Sequence, residues 1–183
     1  MPRIAPINTV HADAAVQATL AGVKAKIGMV PNLFSTFAQS PAVLNGYLAL
    51  SEALGNGVLT AKQREIVALA VGQANECSYC LSAHTLMGKG AGLSLEGIRK
   101  AREGKAETAI DAAVASFARR VVETRGQVTD ADVATARSAG LDDARIIEVI
   151  ANVAINTLTN YTNNVALTDI DFPKVDVALR SAA

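Results

Sequence analysis

Six consecutive apolar residues, Ile66-Val67-Ala68-Leu69-Ala70-Val71, follow Glu65 in a stretch that Thr60 can cap and that loses its apolar pattern near Asn75. A surface helix has one apolar stripe, whereas a helix that is apolar almost all round must have neighbours on every side. The rest of the chain has to wrap this segment, and its spacing says with what. Val16, Leu20, Val23 and Ile27 recur every three or four residues between Asp13, a natural N-cap, and Gly28, which ends a helix. Leu33, Phe34 and Phe37 make an apolar face after Pro31, and Pro41 opens a helix through Val43, Leu44, Tyr47, Leu48, Ser51 and Leu54 up to Gly55-Asn56-Gly57.

Beyond the central segment, Ser94 begins a helix with a basic end, and Thr108 one with Ile110, Val114, Phe117 and Val121 on a single face. Thr129 or Asp130 starts a short helix. Asp142 starts a long apolar run to Leu158, with a polar turn expected where Asn160, Asn163 and Asn164 cluster. The tail DIDFPKVDVALRSAA alternates as a strand would, but nothing else could pair with it, so it reads as an extended docking segment and the chain as all-α. LTAKQREIVALAVGQANECSYC and LDDARIIEVIANVAINTLTNYT share an order of residue types that suggests a degenerate helix-pair duplication.

At 183 residues and 50% hydrophobic, the chain is large enough for one domain with a core that needs no staple. Lys plus Arg balances Asp plus Glu, 17 against 17, without long runs of either sign, which argues against a nucleic-acid or anionic-membrane partner. No stretch approaches the length of a membrane span, and MPRIAPINTVHADA has no apolar signal core, so the cytoplasm is the expected compartment. In a reducing compartment, two cysteines at CxxC spacing point to redox or metal chemistry.

Those cysteines, Cys77 and Cys80, follow a turn expected at Asn75 and Glu76, and His84 lies four residues further on. On a helix all three share a face. If the second helix folds back on the first, Glu65 comes opposite His84. A thiolate is the nucleophile, and a helix N-terminus or a neighbouring imidazolium lowers the thiol pKa. His84 can move the proton while Glu65 holds the imidazole and stabilises its charge. Either cysteine could attack: Cys77 as the more N-terminal and more exposed, Cys80 as the nearer to His84. The second thiol would then close a Cys77–Cys80 disulfide, which an external dithiol must reopen.

Glu65, the Cys77-Ser78-Tyr79-Cys80 segment and His84, at these separations, resemble the active-site signature of the alkyl hydroperoxidase D-like, carboxymuconolactone decarboxylase-like superfamily. VPNLFSTFAQSPAVLNGYLALSEAL and GLSLEGI resemble its peroxidase-related branch, so the likeness is strong over about 29–104 and looser elsewhere. It implies a single helical domain over 1–183, with an arm at 1–12 and a tail at 169–183. It also implies homo-oligomers built on trimers and reduction of organic hydroperoxides without a bound cofactor. By the same resemblance Cys80 is peroxidatic, Cys77 resolving, and Glu65 and His84 a proton relay. A dithiol protein or lipoyl-type compound would be the reductant. The chain departs from hydroperoxidase D in carrying Tyr79 where that protein has a histidine, and a phenol of pKa ~10 is a poor base at neutral pH. Lactone decarboxylation is not expected, since members performing it lack the cysteine pair.

Plainer readings compete. The cysteines could be buried small hydrophobes, or Cys77, Cys80, His84 and Glu65 could clip a zinc ion, although three ligands along one helix wrap a tetrahedral ion badly. The chain would then be a non-catalytic oligomeric helical protein using its CxxC as a redox sensor or metal clip. Tyr79 reads as packing or pocket wall, Phe34, Phe37 and Tyr47 as core or wall, and His11 as an ordinary arm residue. Asn152, Asn156, Asn160, Asn163 and Asn164 recur at helical spacing and could line the pocket or meet another subunit.

Overall fold

The structure, a computed structural model, describes residues 1–179; positions 180–183 of the tail lie outside the described residues. Within them are nine α-helices and no strand: α1 (Ala14–Ile27), α2 (Asn32–Phe37), α3 (Pro41–Gly55), α4 (Ala61–Ala74), α5 (Ser78–Gly90), α6 (Leu95–Arg102), α7 (Ala109–Glu123), α8 (Asp130–Ser138) and α9 (Asp143–Ala166). The expected caps set their starts. Asp13, Thr60, Ser94, Thr108, Thr129 and Asp142 each accept a first-turn backbone N–H through the side chain, and Thr60 pairs reciprocally with Gln63 in a capping box. Gly28 ends α1 in the left-handed conformation at φ 86°.

Every residue of α4 from Ile66 to Gly72 is buried, as an all-round apolar helix requires, and α5, α6, α7 and α9 pack around it. The larger core joins Leu69, Leu81, Ile98, Val114, Phe117 and Leu141; a smaller one joins Val16, Leu20, Phe37 and Leu44 with Cys77, Tyr79 and Cys80. The hairpin from α4 to α5 turns at Asn75 and Glu76, the latter at φ 51°. A Cβ on Gly72 would touch Leu81 and the Cβ of Cys80, at 3.6 and 3.7 Å, so α5 crosses α4 close to the cysteine segment.

The polar turn expected near Asn160 is not there. α9 continues unbroken to Ala166 and ends only at Leu167, in the left-handed region. Asn152, Asn156, Asn160 and Asn163, spaced four, four and three apart, fall on its buried face. The first two return their amide protons to their own helix, to Glu148 O and Asn152 O at 2.8 Å each, so asparagine continues the helix here.

The arm and the described part of the tail are laid across the bundle. The arm donates from Arg3 N to Ala166 O and from Ile7 N to Ser35 O. The tail is extended, as expected, and docked. Asp171 accepts from Asn32 N at 2.7 Å, Ser82 Oγ accepts from Val175 N at 3.0 Å, and Arg102 donates to the carbonyls of Asp176 and Val177.

Candidate active site

Cys77 is the N-cap of α5, and its sulfur accepts from Cys80 N at 3.2 Å. One turn into the helix Cys80 faces the same interior, and one turn further comes His84. The adjoining α4 presents Glu65, whose Oε2 lies 2.9 Å from His84 Nδ1; each side chain is only 18% exposed. The hairpin therefore brings the imidazole and the carboxylate together as its spacing predicts.

The two thiols differ in the opposite sense to the expectation from position. Cys77 is fully enclosed, at 0% exposure, and Cys80 scarcely less so at 3%. The cap position buries Cys77 under the turn instead of presenting it. Its thiol is pushed well above the ordinary range, first by its hydrogen bond to Cys80 and then by burial. Burial acts on Cys80 too and would raise it. The hydrogen bond from Cys77, the charge of His84 and the carboxamides of Asn163 and Asn160 outweigh that, and bring Cys80 down to about 6. For His84, burial disfavours the charged form, but the charge and hydrogen bond of Glu65, with Cys80 beside them, leave its pKa raised. Cys80 and His84 thus each favour the charged form of the other.

Sequence reasoning left open what α9 contributes. Asn163 Nδ2 donates to Cys80 Sγ at 3.4 Å, and Asn160, fully buried, accepts from Asn75 Nδ2 at 2.9 Å. The four-four-three spacing was the available signal, but it could not say which asparagines reach sulfur.

Tyr79 takes no part in proton transfer in this geometry. Burial foremost keeps its phenol protonated, its oxygen accepts from Leu33 N at 3.2 Å, and its ring stands edge-on to Phe172 with centroids 5.6 Å apart. It joins α2 to the tail. Tyr47, from α3, is also held protonated, raised to about 12 by burial and then by the nearby Cys80 and Glu65. It lines a cavity of about 110 Å³ with Ser51, Glu65, His84, Asn152 and Asn156. That is room for roughly three or four water-sized groups at about 30 Å³ each. Among the described residues, no group of three or more His, Cys, Asp or Glu side chains is arranged to hold a metal ion.

Residues 41–124 match the model of the Carboxymuconolactone decarboxylase family. The fold matches the alkylhydroperoxidase core of a peroxidase-related protein from Ralstonia eutropha, with TM-score 0.84 and 25% identity over 93% of this chain and 92% of that one. In sequence over residues 41–124 and in fold over most of its length, the chain is similar to the alkyl hydroperoxidase D-like, carboxymuconolactone decarboxylase-like superfamily. Other structures show how widely the alkyl hydroperoxidase D-like fold is shared. A peroxidase-related protein from Silicibacter superposes with TM-score 0.79 at 22% identity over 91% of each chain. The debrominase Bmp8, as a cysteine-to-alanine variant with 2,3,4-tribromopyrrole, superposes with TM-score 0.76 at 16% identity over 92% of this chain and 91% of its own. An uncharacterized protein of Haemophilus influenzae is 49% identical over 47 residues, 25% of this chain; the match spans 42% of that relative's length. No helix among the described residues is long and apolar enough to cross a membrane.

Proposed function

We propose that the protein is a thiol-dependent peroxidase that reduces small organic hydroperoxides through the Cys77–Cys80 pair. The observation that carries this reading is the placing of both thiols in one closed turn, with Cys77 Sγ 3.2 Å from Cys80 N and the His84–Glu65 pair, 2.9 Å apart, one turn further on; the same surroundings lower Cys80 and raise Cys77. One sulfur is ready to attack while the other keeps its proton until it is needed. A fold shared with a debrominase does not choose the electrophile, but a second thiol three residues away suits an oxygen-transfer cycle.

In the first step the Cys80 thiolate attacks the terminal oxygen of the hydroperoxide. An S–O bond forms, the O–O bond breaks, and the alkoxide leaves with a proton from His84 as an alcohol. Sulfur is oxidised to sulfenic acid. Glu65, 2.9 Å from Nδ1, steadies the imidazolium before transfer. In the second step Cys77 attacks Cys80, the disulfide forms, and water leaves with the proton that Cys77 releases. An external dithiol, a protein or a lipoyl-type compound, then reduces the disulfide and is itself oxidised. We read the protein as a cytoplasmic homo-oligomer built on trimers, in keeping with the family.

Thiols are to be counted before and after one equivalent of cumene hydroperoxide, alongside metal analysis of the purified protein. Loss of both thiols with release of one equivalent of alcohol is the expected result. Unreactive thiols with stoichiometric zinc would replace this reading with a metal clip.

A further inference from the structure

The four buried asparagines of α9 divide into two pairs. Asn152 and Asn156 spend their amide protons on the carbonyl one turn back, the usual way for a polar side chain to be satisfied inside a helix. Asn160 and Asn163 do not. Asn163 is 4% exposed, its Nδ2 donates to Cys80 Sγ, and its Oδ1 is without a partner. Asn160 is fully buried, with Oδ1 fixed by Asn75 and Nδ2 unpaired. Its carboxamide also bears on the Cys80 thiol. An unpaired polar atom in a closed interior is costly, and one beside a reactive sulfur calls for a functional explanation. A carboxamide N–H donor gains most when its acceptor carries a full negative charge in a place that water does not reach.

We infer that Asn163 cradles the Cys80 thiolate by direct contact with the reacting atom, stabilising the sulfur anion as an amide donor stabilises an oxyanion, and that the unpaired Nδ2 of Asn160 is a second donor available to the sulfur once it is charged. The inference deepens the peroxidase reading, on which it rests for its role in turnover, but the cradle itself concerns only the ionisation of sulfur. The other titratable groups facing Cys80 are Cys77, Tyr79 and His84 on the cysteine segment and α5, Tyr47 from α3, and Glu65 from α4 behind the imidazole. None lies on α9, so exchanges of asparagine for leucine or alanine there leave the ionisable set unchanged.

The test is the pH midpoint of thiolate ultraviolet absorbance in the intact protein, where the raised Cys77 leaves Cys80 as the thiol titrating near neutrality. Asn163→Leu removes the donor while keeping the branching and the number of heavy atoms, and its midpoint is expected to rise by about one pH unit; Asn160→Leu by about half as much; the pair by more than either. Asn163→Asp keeps the shape, replaces the donors with a carboxyl and should raise the midpoint further through lost donation and added charge together, which shows that position 163 bears on the sulfur even if the leucine variants fold poorly. Asn156→Ala, on the same face but bonded to its own helix, should leave the midpoint in place. If Asn163→Asp and Asn163→Leu both titrate with the parent, or if Asn156→Ala shifts as far as they do, the cradle is wrong. Peroxide does not enter the measurement, so a protein that consumes no peroxide yet shows the shifts refutes the function and leaves the cradle standing.

Discussion

The larger core, built on Leu69, Val114 and Leu141, is hydrocarbon throughout, whereas the smaller, built on Val16, Phe37 and Leu44, encloses two thiols and the phenol of Tyr79. Both exclude water, with opposite consequences. In the first, exclusion is the whole stabilising effect, and any residue of similar volume would serve. In the second, exclusion magnifies each polar contact, so a hydrogen bond to sulfur or a carboxylate on imidazole resets which groups are charged. The hairpin of α4 and α5 belongs to both: Ile66 and Leu69 face the larger core, while Cys77 and Cys80 face the smaller.

Substitutions that separate the cores sharpen this contrast. Cys80→Ser should remove all hydroperoxide consumption while leaving thermal unfolding nearly unchanged, checked by peroxide assay and calorimetry; retained turnover would reverse the roles given to the two sulfurs. Leu69→Ala, in the hydrocarbon core, should destabilise by about 2–5 kcal/mol in denaturant unfolding yet leave the thiolate midpoint where it was. A shifted midpoint would mean that the cores are not separable. Glu65→Gln should lower the His84 pKa, because burial is then opposed by the Cys80 charge alone. With less imidazolium beside it, Cys80 rises, and peroxide turnover at neutral pH should fall about tenfold.

In the parent protein, alkylation by iodoacetamide should slow as pH falls through about 6, where the thiolate takes up a proton, and level off above. A rate still climbing through the ordinary thiol range of about 8.5 would contradict the lowered value. Tyr79→Phe, which loses the acceptor for Leu33 N but keeps the ring against Phe172, should cost about 1 kcal/mol of stability and leave turnover within a few-fold. A large loss of turnover would make the phenol a participant.

What could be read beforehand follows from how local each signal is. The caps at Asp13, Thr60, Ser94 and Thr108 and the apolar run after Glu65 depend on residues within one or two turns, and they gave the helices and the burial of α4. Glu65 and His84 meet because a short hairpin leaves little choice of register. The relative burial of Cys77 and Cys80 was misjudged because position along a helix says nothing of what lies over its first turn. Asn163 reaches sulfur across 83 residues of sequence. The same amide spacing suits a turn, an interface or a buried face, so only the packed arrangement chooses. The tail's attachment through Asp171 and Val175 depends on partners, Asn32 and Ser82, that carry no local mark of that role.

α9 meets the hydrocarbon core through Val149 and Val153, the sulfur through Asn163, and solvent through Ile147, Leu158, Tyr161 and Val165. A rigid rod with three such duties has no slack along its screw axis. Adding one residue just after Asn156 would turn everything downstream by about 100°, setting Thr159 and Thr162 where Asn160 and Asn163 now stand. Length changes in this rod are therefore far more damaging than exchanges of side chain, and the surroundings of Cys80 can be retuned by substitution but hardly by insertion.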